Sequence, residues 1–231
     1  MPSKRPSTYV YPSSRIAVFG REPILGQVKT RLEPELGLKG CLALYQAMLS
    51  HILVTVRDSR LAPMELWVSS NIAHELFLKY CYKKEIYLQK GKDLGQKMAY
   101  AACKSLNSPS IDSLIIIGSD CPIMNREYIA RGLQALHCTS DPVDVVLGPT
   151  LDGGYALIGL KQPQAGVFQN IEWGTEHVME QTLERMAEES LQYHLLEPLW
   201  DVDRPQDLER LESLDALLDT YAICIASVPF P

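Results

Sequence analysis

Four consecutive apolar residues, 114–117, constrain the fold of this chain more than any other segment. Because apolar and polar residues do not alternate there, the run predicts a strand buried on both faces, as in a parallel sheet covered by helices. Gly118-Ser119-Asp120-Cys121-Pro122 follows, and its proline ends the strand. Ligands of open α/β sheets bind beyond the carboxyl ends of the strands. Asp120 is therefore expected either at such a site or as the cap of the next helix.

Further strands and helices alternate along the chain, which predicts a single α/β domain. The other predicted strands are residues 16–19, 65–69, 85–88, 144–147, 155–160 and 193–196. The predicted helices are residues 38–56, 71–82, 93–106, 125–136, 176–189 and 205–218, with Asn71, Asp93 and Asn125 among the expected caps. We expect a disordered arm over residues 1–14, the domain over 15–219 and a tail over 220–231.

Composition excludes several classes of protein. The chain has 231 residues and a formal net charge of −6, which argues against a general nucleic-acid binder. No uninterrupted apolar run approaches the roughly 20 residues of a membrane span, and the polar first fourteen residues do not resemble a signal peptide. None of the six cysteines forms a C-x-x-C pair. We therefore expect a cytoplasmic protein without disulfides, in which Cys121 is either a buried apolar residue or a nucleophile.

Charged side chains recur in the loops that follow the predicted strands. Arg21, Lys29 and Arg31 follow the first strand, and Asp152 lies in Asp152-Gly153-Gly154-Tyr155 after the strand at 144–147. Cations beside several carboxylates suit a phosphate ester held together with a divalent metal. The alternatives are a solvated basic loop and a glycine turn without a function in binding.

A second acidic segment, Trp200-Asp201-Val202-Asp203-Arg204-Pro205, follows the last predicted strand. We expect one of Asp201 and Asp203 to face the site. We prefer Asp203.

Five motifs lie in order between residues 15 and 211. They are Phe19-Gly20-Arg21-Glu22-Pro23 with Gly26-Gln27-Val28-Lys29-Thr30-Arg31-Leu32, Asp93-Leu94-Gly95-Gln96-Lys97-Met98, Gly118-Ser119-Asp120-Cys121-Pro122, Gly148-Pro149 with Asp152-Gly153-Gly154-Tyr155, and Trp200-Asp201-Val202-Asp203 with Asp207-Leu208. Together they resemble the radical-SAM/selenodomain-associated transferase family, formerly a domain of unknown function. That family belongs to the nucleotide-diphospho-sugar transferase superfamily.

The resemblance implies a single-domain, three-layer α/β/α architecture with a mostly parallel mixed sheet, the glycosyltransferase-A fold. It also implies a transferase that depends on Mg²⁺ or Mn²⁺ and uses a nucleotide-activated substrate. By motif, Asp120 and Asp203 correspond to metal ligands, and Asp120 and Asp152 are the expected catalytic residues. The expected nucleotide- or substrate-binding residues are Arg21, Lys29, Arg31, Gln96, Gly153, Gly154 and Thr175. Arg21, Lys97 and Gly174 depart from the family's usual Lys, Arg and Ser.

Three functions remain open at this point. The first is glycosyl transfer from a nucleoside-diphosphate sugar, which we favour because the first loop lacks the glycine-dense run of typical nucleotidyltransferases. The second is nucleotidyl transfer from a nucleoside triphosphate to a phosphate- or carboxylate-bearing acceptor, with release of pyrophosphate. The third is a nucleotide-binding module without catalysis. The expected partners are a nucleotide or nucleotide sugar and an unidentified acceptor, without nucleic acid, and the oligomeric state is left open.

Overall fold

The computed structural model describes residues 9–211, 214 and 219–222. The strands are β1 (Ser14–Gly20), β2 (Met64–Val68), β3 (Ile86–Leu88), β4 (Ser113–Ile117), β5 (Val145–Pro149), β6 (Tyr155–Leu160) and β7 (Tyr193–Leu195). The α-helices are α1 (Glu33–Ser59), α2 (Glu75–Tyr80), α3 (Leu94–Leu106), α4 (Arg126–Leu136), α5 (Val178–Glu188) and α6 (Leu208–Leu211). Each predicted strand is therefore present, within one or two residues of its expected bounds.

The seven strands form one mixed sheet in the order β3-β2-β1-β4-β6-β5-β7. Strand β6 is antiparallel to both of its neighbours, β4 and β5, whereas the other pairings are parallel. The carboxyl ends of the six parallel strands and the beginning of β6 therefore meet at one edge, which we call the carboxyl edge. The loops that carry the predicted site residues start at this edge.

Helices cover both faces of the sheet, because the central strand is apolar on both sides. Ile115 and Ile117 pack in a cluster with apolar residues of α1 and α4. Leu114 and Ile116 point to the opposite face, where they cluster with residues of α3 and α5. The result is the three-layer α/β/α domain that the sequence predicts.

Helix α1 is long and apolar enough to cross a membrane by length and composition. Uninterrupted apolar runs do not reveal it, because polar residues occur within the helix. Its most apolar window has a mean hydropathy of 1.2, and 72% of that window is buried inside the domain. The helix is therefore accounted for as part of the core.

Two expectations about the chain's boundaries and caps need correction. Residues 9–14 are not a disordered arm: the Val10 and Tyr11 amides donate hydrogen bonds to the carbonyls of Arg60 and Leu61, and β1 begins at Ser14. Helix α2 is capped by His74 rather than Asn71, since the His74 ring accepts a hydrogen bond from the Leu76 amide. Residues 1–8, most of the predicted helix beyond Leu211 and most of the predicted tail lie outside the described residues.

Candidate active site

An ion pair between the first loop and the central strand lies at the centre of the carboxyl edge. The Lys29 Nζ atom is 2.6 Å from Asp120 Oδ1 in an ion pair and donates a hydrogen bond of 2.6 Å to the Val202 carbonyl. The Lys29 side chain is 4% exposed, whereas that of Asp120 is 50% exposed. Lys29 is therefore a buried cation that holds one oxygen of Asp120 and leaves much of that carboxylate accessible.

The backbone of Lys29 is unusual for a residue with a side chain. Its φ of 50° and ψ of 34° place it in the left-handed region, where a non-glycine residue is strained. Such strain persists only where the surroundings hold the residue in place, and it is concentrated at functional sites. The ion pair with Asp120 and the hydrogen bond to the Val202 carbonyl supply that restraint here.

Asp203, the residue that the sequence favours as the second metal ligand, pairs with Arg31 instead. Its backbone amide also donates a hydrogen bond to Asp207 Oδ2. The structure thus joins two predicted site residues, Arg31 and Asp203, to each other. The pair is partly exposed, with 57% of the Arg31 side chain and 38% of the Asp203 side chain accessible to solvent.

Asp201 is the acidic residue of this segment that interacts electrostatically with the other site carboxylates. Burial, together with repulsion from Asp152 and then Asp120, raises the pKa of the Asp201 carboxyl to about 6. Lys29 opposes this shift. The sequence offered Asp201 and Asp203 as alternatives and favoured Asp203, whereas Asp201 is the one that is coupled electrostatically to Asp152 and Asp120.

The segment that contains Asp201 is fixed to the central strand by the backbone. The Val202 amide donates a hydrogen bond of 2.9 Å to the Asp120 carbonyl, and the Val202 side chain is fully buried. This anchor holds Asp201 and Asp203 on either side of Val202, beside Asp120.

Asp152 has two environments, one for each carboxylate oxygen. Its Oδ1 atom accepts hydrogen bonds from the Thr150 hydroxyl at 2.5 Å and from the Gly154 amide at 3.1 Å. These bonds fix the turn between β5 and β6. No hydrogen bond or ion pair to Oδ2 is found among the described residues, and Asp152 is exposed. Asp152 can therefore order its turn and still present one oxygen to a ligand.

The glycines of this turn do not present free amides to a substrate, contrary to the sequence-based expectation. The Gly154 amide donates to Asp152, and the Gly153 amide donates to the Thr150 carbonyl at 3.2 Å. Gly153 has a φ of 89°, and a Cβ atom there would collide with the backbone of Glu176. Gly153 is therefore required for the turn and for its close contact with the following loop.

Gln96 and Thr175 also make local hydrogen bonds. The Gln96 Oε1 atom accepts from the Lys92 amide at 3.1 Å, and its Nε2 atom donates to Asp93 at 2.9 Å. The Thr175 hydroxyl donates to the Glu172 carbonyl at 2.7 Å. Both residues are exposed, but in this structure each stabilises its own loop.

The loop containing Thr175 joins two of the predicted motifs. A Cβ atom at Gly95, in the first turn of α3, would lie 2.7 Å from Trp173 Nε1. The Met179 amide at the start of α5 donates a hydrogen bond of 2.8 Å to the Gly153 carbonyl. The loop thus contacts α3 on one side and the Asp152 turn on the other.

Hydrogen bonds to α1 and to the loop after β2 fix the first loop at Arg21 and Glu22. The Tyr45 hydroxyl of α1 accepts a hydrogen bond from the Arg21 amide at 2.5 Å and donates one to the Arg21 carbonyl at 3.0 Å. Glu22 accepts hydrogen bonds from Ser70 and Asn71, which follow β2. The Arg21 guanidinium itself makes no hydrogen bond or ion pair within the part of the chain that the structure describes, and the residue is exposed.

Cys121 does not act as a nucleophile in this arrangement. The residue is 1% exposed, and burial raises the pKa of its thiol to about 12. A thiol with so high a pKa is protonated at neutral pH, whereas the thiolate is the reactive form. Cys121 is therefore a buried apolar residue, the other alternative that the sequence allowed.

The carboxylates at the carboxyl edge fit a divalent cation in chemical type. Mg²⁺ and Mn²⁺ favour oxygen ligands, and Mg²⁺ is usually held by one or two carboxylates together with substrate phosphates. Within residues 9–211, 214 and 219–222 there is no ready-made cluster of three or more His, Cys, Asp or Glu side chains for a metal. Burial is the main cause of the raised pKa of Asp201, and the further rise from Asp152 and Asp120 indicates excess negative charge at this point. The donor set therefore suits an ion that arrives with a phosphate-bearing ligand.

Comparison with known proteins agrees with this fold. A crystal structure from Desulfovibrio desulfuricans G20, provisionally named a nucleotide-diphospho-sugar transferase, is 27% identical in sequence, with a TM-score of 0.78. The match covers 95% of this chain and 100% of the other. The architecture is thus that of the nucleotide-diphospho-sugar transferases, the glycosyltransferase-A fold.

The chain belongs to the DUF2064 family, described as an uncharacterized protein conserved in bacteria, whose profile matches residues 52–175. A comparison with curated proteins gave no match.

Two more distant structures share the fold. One is a CMP:2-keto-3-deoxy-manno-octonic acid synthetase in complex with CTP, which is 9% identical, with a TM-score of 0.57 over 88% of this chain and 98% of the other. The second is a cytidylyltransferase from Leptospira borgpetersenii serovar Hardjo-bovis (strain JB197). It is 13% identical, with a TM-score of 0.56 over 95% of this chain and 99% of the other.

Proposed function

We propose that this protein is a metal-dependent transferase whose donor is a nucleoside-diphosphate sugar. The observation that carries the proposal is the convergence of the buried Lys29 cation with Asp120 and Asp201 at the carboxyl edge. Binding of a diphosphate there requires positive charge, and the carboxylates supply ligands for a divalent cation. The sugar-nucleotide donor is supported by the name of the 27% identical Desulfovibrio protein, which shares the whole domain.

In this proposal, Asp120 and one carboxylate of the Asp201–Asp203 pair hold Mg²⁺ or Mn²⁺. Once bound, the ion supplies positive charge that offsets the charge on the diphosphate. Asp203 is available only if Arg31 releases it, and that release would free the Arg31 guanidinium for phosphate. Asp201 already interacts with Asp120 electrostatically. Experiment decides which of these two residues is the second metal ligand.

Cations of the first loop bind and orient the donor. Lys29 is held in place by Asp120 and the Val202 carbonyl, so its charge is fixed before a ligand arrives, and such preorganised charge is an effective stabiliser of a transition state. Arg21 is exposed and can bind phosphate oxygens as a bidentate donor, and Arg31 can do so once it releases Asp203.

The transfer step is a substitution at the anomeric carbon. An acceptor hydroxyl oxygen forms the new bond to that carbon, while the bond from the carbon to the diphosphate oxygen breaks and the diphosphate leaves with the electron pair. In this proposal the Oδ2 atom of Asp152 orients the acceptor hydroxyl or takes its proton. Oδ1 remains in the turn throughout.

Nucleotidyl transfer is the second candidate, because the segment 201–203 brings two further acids beside Asp120. A nucleoside triphosphate would then react at its α-phosphorus, with the acceptor oxygen displacing pyrophosphate. The two candidates differ in their products. Sugar transfer releases a nucleoside diphosphate, and nucleotidyl transfer releases pyrophosphate.

A thermal-shift screen with and without Mn²⁺ tests the proposal first. A nucleoside-diphosphate sugar that binds the folded state raises the melting temperature by mass action, and we expect the shift to require Mn²⁺. Asp120→Asn should abolish the Mn²⁺-dependent rise in melting temperature. Asp141→Asn, in an exposed loop remote from the carboxyl edge, should retain that rise. Equal shifts with and without Mn²⁺ for the native protein would contradict the metal assignment.

The second ligand and the reaction are then assigned separately. Of Asp201→Asn and Asp203→Asn, the variant that loses Mn²⁺-dependent donor binding identifies the ligand. Release of a nucleoside diphosphate from a bound nucleotide sugar, with water as the default acceptor, supports glycosyl transfer. Pyrophosphate released from a nucleoside triphosphate, with no turnover of sugar nucleotides, would instead establish the second candidate.

A further inference from the structure

One edge of the sheet carries a local excess of positive charge. Residues 79–104 contain seven lysines, no arginine and only two carboxylates, a formal net charge of +5 in a chain whose net charge is −6. The lysines are Lys79, Lys83, Lys84, Lys90, Lys92, Lys97 and Lys104. Six of them are exposed and Lys97 is half-buried. The rest of the chain is therefore strongly acidic, and the basic charge is concentrated in one segment.

Several of these lysines lie over tyrosine rings around β3. The ammonium groups of Lys79 and Lys90 are both 5.2 Å from ring centroids, those of Tyr80 and Tyr100. Lysines 84 and 104 lie 6.0 Å and 5.9 Å from the rings of tyrosines 82 and 87. Strand β3 ends the sheet, and within the described part of the chain its outer edge pairs with no other strand. We call residues 79–104 the lysine–tyrosine edge.

Large apolar side chains are exposed at or beside the same edge. Tyr82 is 76% exposed, and Leu78, Leu88 and Leu94 are 45%, 43% and 44% exposed. These residues contribute little to the core of the domain. Tyrosine and leucine side chains flanked by lysines are typical of surfaces that enter the headgroup region of a lipid bilayer.

We propose that the lysine–tyrosine edge binds the surface of an anionic lipid bilayer. Lysines near such a surface are attracted to its negative potential, while exposed aromatic and apolar side chains insert at the headgroup level. Long lysine side chains allow the charge to remain in water while their apolar stems lie against the lipid. The proposal concerns binding and does not depend on the reaction catalysed at the carboxyl edge.

The composition of the edge favours lipid over nucleic acid. Arginine is the preferred residue for bidentate recognition of nucleic-acid phosphates, and the edge has none. A nucleic-acid backbone offers the exposed leucines no apolar environment, whereas a bilayer does. The acidic remainder of the chain also disfavours wrapping by a long polyanion.

The opposite edge of the sheet provides an internal comparison. Strand β7 also exposes a tyrosine and a leucine, with Tyr193 43% exposed and Leu195 42% exposed. Its neighbours are acidic, with Glu188, Glu189 and Glu197 all exposed. Apolar exposure is thus similar at the two edges, and the sign of the charge differs.

Co-sedimentation with lipid vesicles tests the proposal. We expect the full-length protein to pellet with vesicles of phosphatidylcholine containing about 30% phosphatidylglycerol, and not with phosphatidylcholine alone. Binding should fall steeply as salt is raised to about 0.5 M, because salt screens surface charge. The double substitution Lys83→Glu/Lys84→Glu should reduce binding about tenfold or more.

Two single substitutions separate insertion of an aromatic ring from general charge attraction. Tyr82→Ala leaves the net charge unchanged and should still weaken binding several-fold, whereas Tyr193→Ala on β7 should bind as the native protein does. Far-ultraviolet circular dichroism and melting curves verify that each variant is folded, and Lys83→Gln/Lys84→Gln replaces the charge-reversed variant if that one does not fold.

Three results would overturn the proposal. The first is equal binding, or none, to the two kinds of vesicle. The second is native-like binding by Tyr82→Ala. The third is salt-sensitive binding to a single-stranded oligonucleotide with no binding to vesicles. In the absence of any ligand, the lysines would serve only to prevent edge-to-edge pairing of sheets, as lysines do on many exposed edge strands.

Discussion

Replacing Asp201 by asparagine should stabilise the metal-free protein at neutral pH. In the folded chain, burial and the nearby Asp152 and Asp120 raise the pKa of the Asp201 carboxyl from its ordinary value of 3.8 to about 6. The folded state therefore binds this proton more tightly than the unfolded state does. This tighter proton binding adds to the free energy of unfolding below about pH 4. That contribution is lost as the pH rises through about 6.

The size of the effect follows from the pKa. A tenfold change in proton affinity corresponds to about 1.4 kcal/mol. The difference between a pKa of 3.8 and a pKa of about 6 therefore corresponds to about 3 kcal/mol. The carboxyl keeps contact with solvent, which screens the repulsion, and this lowers the expected gain to about 1–1.5 kcal/mol. Asparagine is nearly isosteric and carries no charge, so it removes the repulsion without leaving a cavity.

Urea unfolding with EDTA present, near pH 7 and near pH 4, measures this difference. We expect Asp201→Asn to raise the free energy of unfolding near pH 7 and to have little effect near pH 4. Asp203→Asn, two residues away, is the matched control: it breaks a partly exposed ion pair with Arg31, so it should be neutral or destabilising by up to about 1 kcal/mol. A destabilised Asp201→Asn variant near pH 7, or the same gain at both pH values, would show that the ionised Asp201 carboxylate does not destabilise the folded protein.

Three further substitutions test the other side chains of the site. Lys29→Met should lower the free energy of unfolding by about 1–3 kcal/mol, because it leaves Asp120 and the Val202 carbonyl without their donor; an unchanged urea midpoint would contradict this. Arg31→Ala should leave stability within about 1 kcal/mol, while titration calorimetry should show nucleotide binding weakened by about 1.5–3 kcal/mol. Asp152→Asn should retain nucleotide affinity and lose about 10²–10⁴-fold in turnover. Native turnover by that variant would leave Asp152 as a turn residue only.

The sheet could be predicted from sequence because each strand has a local signature. Residues 114–117 are apolar without alternation, and the structure buries them on both faces. The cap of α2 could not be predicted in the same way. Asn71 has the right side chain for a cap, but it adopts a φ of 32° and donates to Glu22 in the first loop. A contact with a residue about fifty positions earlier thus overrides the local preference.

The candidate site was predictable as a set of loops but not atom by atom. The sequence shows that Asp201 and Asp203 flank Val202, but it does not show which of them faces Asp120. That choice depends on Arg31, which lies 172 positions earlier in the chain and pairs with Asp203. Similarly, the motif containing Gln96 does not reveal that the Gln96 side chain accepts a hydrogen bond from the Lys92 amide and donates one to the Asp93 carboxylate.

The hydrogen bond from Lys29 to the Val202 carbonyl has a consequence for biosynthesis. It joins positions 173 residues apart, and proteins are synthesised from the amino terminus at about 5–20 residues per second. A nascent chain that has emerged only through α5 contains Lys29 and Asp120 but lacks the carbonyl that completes the coordination of the ammonium group. Shortened products of interrupted translation that end before Val202 therefore lack part of the site. On the proposed function, a nascent chain would bind donor only after Val202 has left the ribosome.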